Sequence, residues 1–316
     1  MDNVAFDPSP PSSAARLRVN VFMVASNLPL LAGLEQGFFA DRRLNVEVQY
    51  TPNSDQQRGG LAAGQFEIAH SGIDNAVAMV DLAGEDVAVV MGGDAGMNEF
   101  MVRPEIASFA DIRGKLLAVD APTTSYALLA KKILKNNGLI EGRDYRVKAV
   151  GGTQSRATAL AATPELAAGM VSPPYSCALR GQGLKSLGRV DELVGPYQAT
   201  SAFVMRAWGK ANAAVLERYL AAYVAATRHA MDPANRAAMI GLLAERFKLD
   251  ATIARQTYDA LMTPGFGLAA DARLDMAGFR NVLAIRAEVG GNAAAAPAPD
   301  KYLDLSCYER ALGTLP

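Results

Sequence analysis

Two stretches of this chain pass through the same series of residue types. QQRGGLAAGQFEIAHSG runs from Gln56 to Gly72, and SRATALAATPELAAGMVSP from Ser155 to Pro173. Each leads from a small polar helix into a short apolar strand and then into a turn of small residues. Each also stands third in a β-α-β-α-β order. In the first unit, strands fall at Leu17–Met23, Leu44–Tyr50 and Phe66–Ala69, with helices at Leu28–Gln36 and Gln56–Ala63. In the second, strands fall at Leu116–Val119, Tyr145–Val150 and Ala167–Val171, with one helix closed by Gly138 and another at Thr153–Ala162. Such alternation implies mainly parallel sheets covered by helices. Two units of this kind in 316 residues predict an α/β protein of two lobes with a cleft between them.

Local signals agree with this division. Asn27 stands where an N-cap belongs, and Gly37 lies just past the end of the same helix. Leu44–Tyr50 alternates apolar residues with Asn45, Glu47 and Gln49, which gives the strand one apolar face. A helix at Asp74–Ala83 and a strand at Val87–Met91 extend the first unit. After an apolar run at Ala202–Met205 the pattern turns helical, at Asn212–Met231, Ala234–Phe247, Ala251–Leu261 and Asp275–Val289. GGNAAAAPAP, Gly290 to Pro299, reads as a flexible spacer. Residues 1–14 read as a disordered polar lead, with no basic start followed by an apolar core and so no signal-peptide pattern.

Charge nearly cancels, with 31 basic against 32 acidic residues. That leaves no electrostatic footprint for nucleic acid or an anionic membrane surface. No stretch reaches the ~18 uninterrupted apolar residues of a membrane span, so no membrane insertion is expected. Cys177 and Cys307 form neither a disulfide framework nor a zinc pattern. His70 and His229 are too few and too far apart for a metal site, and neither a metal nor a cofactor is expected.

VDAPTTSYALLAKKILKNNGL, Val119 to Leu139, raises the question of function. An apolar strand empties into a polar turn, and a helix then opens on Thr123, Thr124 and Ser125, with no acid–base or nucleophile dyad beside them. The wider sequence supplies a context. NLPLLAGLEQGFFADRRLNVEVQY, LAAGQFEIAHSG, IASFADIRGKLLAV, SAFVMRAWGKANAAVLERYLAAYVAATRHAMDPANRAAM and KYLDLSCYERAL follow one another along almost the whole chain. Together they resemble the sulfonate, nitrate, taurine and pyrimidine-precursor branch of the periplasmic substrate-binding proteins of ABC transporters. Glu67 stands where that branch usually has Asp.

The resemblance implies a type II periplasmic-binding-protein-like fold. Lobe 1 would comprise residues 15–96 and 203–316, and lobe 2 residues 97–202. Crossings would fall near Gly92–Val102 and Thr200–Met205, with the ligand between the lobes. In open α/β sheets ligands bind beyond the carboxyl ends of the strands, where helices begin. Exposed N–H groups and the positive dipole end there favour an anion. The candidate ligand-binding residues at such ends are Ser26 and Asn27; His70, Ser71 and Asp74; Thr123, Thr124 and Ser125; and Ser172 and Tyr175. Arg58 and Arg156 lie near the right loops, but no arginine falls squarely at a strand end.

The expected function is a solute-binding protein capturing a small organic anion or heterocycle, sulfonate-, carboxylate- or pyrimidine-like, for uptake. Its partners would be a small-molecule ligand and, if exported, a transporter permease. It would be periplasmic if a signal peptide has been removed or lies upstream, and cytoplasmic if the chain as given is complete. The rival is a cytoplasmic hydrolase or lyase on the same scaffold, with His70 as its catalytic residue. A cytoplasmic ligand sensor would look the same in sequence. An aromatic sulfinate desulfinase of this fold would want a cysteine in the first strand-end turn, and Val24–Asn27 contains none.

Overall fold

The computed structural model describes residues 14–290 and 297–316. Most of the polar lead and the centre of the Gly290–Pro299 spacer therefore lie outside the described residues. The first unit contains β1 (Ala15–Val21), α1 (Leu28–Glu35), β2 (Leu44–Tyr50), α2 (Ser54–Ala62), β3 (Ile68–Gly72), α3 (Asp74–Leu82) and β4 (Val87–Met91). The second contains β5 (Glu99–Val102), β6 (Leu116–Val119), α4 (Ser125–Asn136), β7 (Arg146–Ala149), α5 (Thr153–Ala162), β8 (Leu166–Val171), α6 (Tyr175–Gly181), β9 (Lys185–Arg189) and α7 (Val190–Val194). The chain then continues through β10 (Thr200–Met205), α8 (Arg206–Ala211), α9 (Ala213–Met231), α10 (Arg236–Phe247), α11 (Ala251–Leu261), α12 (Met276–Val289) and α13 (Ser306–Gly313).

The strands form two five-stranded sheets, ordered β2-β1-β3-β10-β4 and β7-β6-β8-β5-β9. The two orders are the same order, with β3 and β8 in equivalent places, so the paired stretches noted in the sequence occupy matching positions. In each sheet one antiparallel strand is inserted among parallel ones, β10 beside β3 and β4, and β5 beside β8 and β9. Each inserted strand follows a passage of the chain from the other sheet. The protein is thus a two-lobed α/β fold of the periplasmic-binding-protein kind.

The first passage requires glycine. A Cβ on Gly92 would lie 2.4 Å from the Arg273 carbonyl oxygen, and one on Gly93 would lie 2.8 Å from that of Thr200. Only a residue without a side chain lets the backbone segments come so close. Ala95 and Met97 donate their N–H groups to the carbonyls of Gly267 and Phe266, and Ala199 donates to Asp94, which ties the passages together.

β3 runs to Gly72 rather than stopping at Ala69, because β10 pairs Thr200 with Gly72 and Ser201 with Ser71. His70 and Ser71 are therefore strand residues and not turn residues. β5 falls inside the crossing expected near Gly92–Val102, whereas β9 was not anticipated as a strand. β9, Lys-Ser-Leu-Gly-Arg, carries no buried alternation to mark it. α4 ends where expected, with Gly138 at φ +77°, the left-handed position that glycine fills after a helix.

One apolar core joins the lobes. Ile73, just before α3, and Ala76 and Val77 of α3 pack with Leu128, Leu129 and Ile133 of α4 and with Phe279, Val282 and Leu283 of α12. Glu288 of α12 also pairs with Lys132 and Lys135 of α4, at 2.6 and 3.0 Å. Phe279 is completely buried and meets Tyr302 edge-on at 6.0 Å. Phe279→Ala should destabilise the protein by about 3–5 kcal/mol, transfer and cavity terms combined. A urea-unfolding midpoint unchanged from wild type would contradict this packing.

Candidate functional site

The loops after β1, β3, β6 and β8 converge on one cavity. Counted as space open to the centre of a water molecule, its volume is about 60 Å³. One water needs roughly 10–15 Å³ on that measure, so several waters or one small ligand fit. Phe22, Val24, Met97 and Tyr126 give it apolar wall, and the rest is polar. Of the residues singled out from sequence, Ser26, His70, Ser71, Thr124, Ser125 and Ser172 line it.

Four others stand elsewhere. Asn27 is buried and spends its amide on the Phe22 carbonyl, at 2.6 Å, instead of capping α1. Asp74 is held by Arg286 of α12, with both carboxylate oxygens 2.8 Å from the same guanidinium nitrogen. Thr123 faces solvent. Tyr175 lies on the rim, where its hydroxyl donates to the Met23 carbonyl across the cleft at 3.0 Å. Thr124 reaches the cavity, but its hydroxyl is turned back onto Ala121, donating to that carbonyl at 2.9 Å. Of the three hydroxyls opening α4, only that of Ser125 is buried without a partner among the described residues.

Ser54, Asn75, Asp94, Asn98 and Asp120 stand outside the candidate set drawn from sequence, and all five line the cavity. Ser54 of α2 donates both its N–H, at 3.2 Å, and its hydroxyl, at 2.5 Å, to Asp120 Oδ2 on the opposite lobe. That spends the only Ser54 hydroxyl proton. The Asn75 atom 3.3 Å from Ser54 Oγ must then be the amide N–H, which leaves Asn75 Oδ1 as a free acceptor. Asn98 donates its amide to the Gly96 carbonyl at 2.9 Å, so its Oδ1 is likewise fixed as the outward atom. Asn75 Oδ1, Asn98 Oδ1 and Asp120 Oδ1 are buried and have no hydrogen-bond partner among the described residues.

The charges are mixed. Arg156 of α5 lines the cavity while its Nε and Nη1 serve the carbonyls of Met170 and Gly151, at 2.8 and 3.1 Å. Burial lowers its pKa, and Asp120 pulls it back up. Its guanidinium carbon lies 5.9 Å from the Tyr126 ring centre. Asp94, buried in the first passage, has its carboxyl pushed up by burial, against hydrogen bonds from Thr200, Gly96 and Ser26 that favour the charged form. His70 is brought down to about 3 by burial alone, so its ring is neutral.

The lobes are closed on each other. Besides Ser54–Asp120 and Tyr175–Met23, the Gly152 N–H donates to the Pro52 carbonyl at 3.0 Å. Cys177 takes no part in the cavity wall. It is buried, and burial pushes its thiol up, the opposite of an activated nucleophile. His229 sits away from the cleft beside Asn235.

Comparison with known proteins fits this geometry. A family model described as NMT1/THI5 like matches residues 25–237. The chain belongs to the NMT1/THI5-like family. No curated protein matches it in sequence. A protein of Bordetella bronchiseptica RB50 superposes with a TM-score of 0.82 at 19% identity, covering 95% of this chain and 98% of that one. The periplasmic nitrate-binding protein NrtA from Synechocystis PCC 6803 gives 0.79 at 14% identity, over 96% and 89%. The alkanesulfonate-binding protein SsuA from Xanthomonas axonopodis pv. citri, bound to MOPS, gives 0.72 at 18%, over 94% and 98%. At these identities the likeness is one of fold.

In this NMT1/THI5-like chain the neutral His70 has a consequence for stability. Unfolded, it takes up a proton near its ordinary pKa of 6.5; folded, only near 3. The unfolded state therefore binds more protons in that window, and stability falls as pH drops through it, by roughly 4–5 kcal/mol in full. Asp74 and Asp94, with carboxyls raised by burial, act in the opposite sense, so the comparison belongs against His70→Gln, which keeps both. Between pH 6.5 and 3, wild type should lose stability relative to that variant in urea unfolding. Parallel pH curves would contradict the buried neutral ring.

Proposed function

We propose that the protein is the solute-binding component of an ABC import system, and that its solute is a small, flat, donor-bearing heterocycle without net negative charge. Family membership and the closed two-lobe cleft support the first part. The observation that carries the second is the set of buried, unpaired acceptors Asn75 Oδ1, Asn98 Oδ1 and Asp120 Oδ1 on the cavity wall. A buried acceptor left unpaired costs about 1–3 kcal/mol, which a ligand N–H or O–H removes. Nitrate or a sulfonate offers no such donor and would face Asp120. Two like charges 4 Å apart at an effective dielectric of 20 repel by about 4 kcal/mol. The anion expected from the helix opening at Thr123–Ser125 is thus disfavoured here, since only the Ser125 hydroxyl is both in the cleft and unpaired. Ser125, Ser71 and Arg156 offer donors for the acceptor atoms that a ring of this kind also carries.

The protein would act outside the cytoplasm and pass its solute to a membrane permease. No helix among the described residues is long and apolar enough to cross a membrane. Nothing in the cavity wall supplies an activated nucleophile, so the bound solute should leave unchanged, as transport requires.

A thermal-shift panel of aminopyrimidines, nitrate and alkanesulfonates tests the reading. Only the amino-heterocycles should stabilise the protein, by roughly 2.7 kcal/mol at one hundred times Kd. Asp120→Asn, which removes the charge and keeps the shape, should weaken that binding by about 1.5–3 kcal/mol, the worth of a hydrogen bond to a charged group. Stabilisation by nitrate or a sulfonate alone would overturn the ligand class. Turnover of the solute, followed by mass spectrometry, would overturn the carrier.

A further inference from the structure

His70 faces two environments. It sits on β3 with its ring against α9, where Nε2 lies 2.8 Å from the hydroxyl of Tyr219, and it also lines the cleft. The ring is held from more than one side. Tyr223 lies along it, centroids 5.0 Å apart and planes 31° apart, and Phe39 stacks on Tyr219 at 5.3 Å. Tyr219 is completely buried, and its hydroxyl meets no other partner among the described residues.

Two arrangements satisfy the 2.8 Å contact. In one, His70 Nε2–H donates to the phenol oxygen, and the phenol proton is left buried with no acceptor. In the other, the phenol donates to an unprotonated Nε2, and the ring proton sits on Nδ1. Only the second leaves no donor orphaned in the core, and orphaned donors are the expensive ones. Nδ1 has no partner among the described residues and is not one of their sealed, unpaired polar atoms, so its proton opens to the cleft that His70 lines instead of being orphaned in the core. A charged ring, which would protonate both nitrogens, is excluded by the burial that lowers the pKa to about 3.

We propose that Tyr219 is a positioning residue that fixes the Nδ1–H tautomer of His70 and so makes this strand residue a hydrogen-bond donor to the solute. The solute must then present an acceptor towards β3 as well as donors towards Asn75, Asn98 and Asp120. That consequence rests on the proposed solute-binding role; the tautomer itself does not.

Long-range ¹H–¹⁵N correlation spectra of ¹⁵N-histidine-labelled protein read the tautomer directly, with His70→Gln used to assign the signal against that of His229. Wild type at neutral pH should show Nδ1 protonated and Nε2 bare. Tyr219→Phe should lower the ratio of Nδ1–H to Nε2–H by about fivefold, the size of one net hydrogen bond. A wild-type ring protonated at Nε2, or a ratio unmoved in Tyr219→Phe, would overturn the proposal. If Tyr219→Phe does not fold, the wild-type spectrum still decides. No ligand is needed, so a failed ligand panel and a failed tautomer assignment are told apart.

Discussion

Parallel strands that end on one edge of a sheet send all their loops the same way, and the cleft follows from that constraint. Each sheet here has its parallel strands pointing at the other lobe, and the inserted antiparallel strands β5 and β10 carry the chain between them. The Gly92–Gly93 approach to Arg273 and Thr200 makes the passage possible. Once the passages are fixed, Asp94 and Asn98 have no choice but to stand at the floor of the cavity. Ser54 and Asp120, from opposite lobes, are then brought to 2.5 Å of each other.

That cross-cleft contact organises the polar wall. Asp120 consumes the Ser54 proton, Ser54 thereby turns the Asn75 amide, and the outcome is a carbonyl oxygen with nothing to accept from. Networks of this kind stabilise a core only when every member is satisfied. An incomplete one at a cleft between two lobes is a binding surface waiting for its complement. Its composition, acceptors and carboxylates together with Arg156 and Ser125, supports the mixed donor–acceptor ring proposed for it over a symmetric oxyanion.

Much of the fold was legible because it is periodic. The strands of both units and the long α9 announce themselves by apolar spacing. β5 and β9 do not, since they are short and owe their place to pairing with residues far away in sequence. The same non-local pairing lengthened β3 past Ala69. The strand-end rule found Ser26, His70, Ser71, Ser125 and Ser172, because it depends only on where an apolar run stops. It gave no reason to keep Asp94 or to single out Asn98, which belong to a passage, or to know that α5 turns Arg156 inward onto the carbonyls of Gly151 and Met170. It also could not tell Thr123 from Ser125, two residues apart on one helix opening, one in solvent and one in the cleft.

The most direct measurement is a crystal structure of the protein with its solute in the cleft. The account predicts solute N–H or O–H groups about 2.7–3.2 Å from Asn75 Oδ1, Asn98 Oδ1 and Asp120 Oδ1, with the ring packed between Phe22 and Tyr126. A solute oxyanion seated on Arg156, with those acceptors still unpaired or bridged by water, would contradict it.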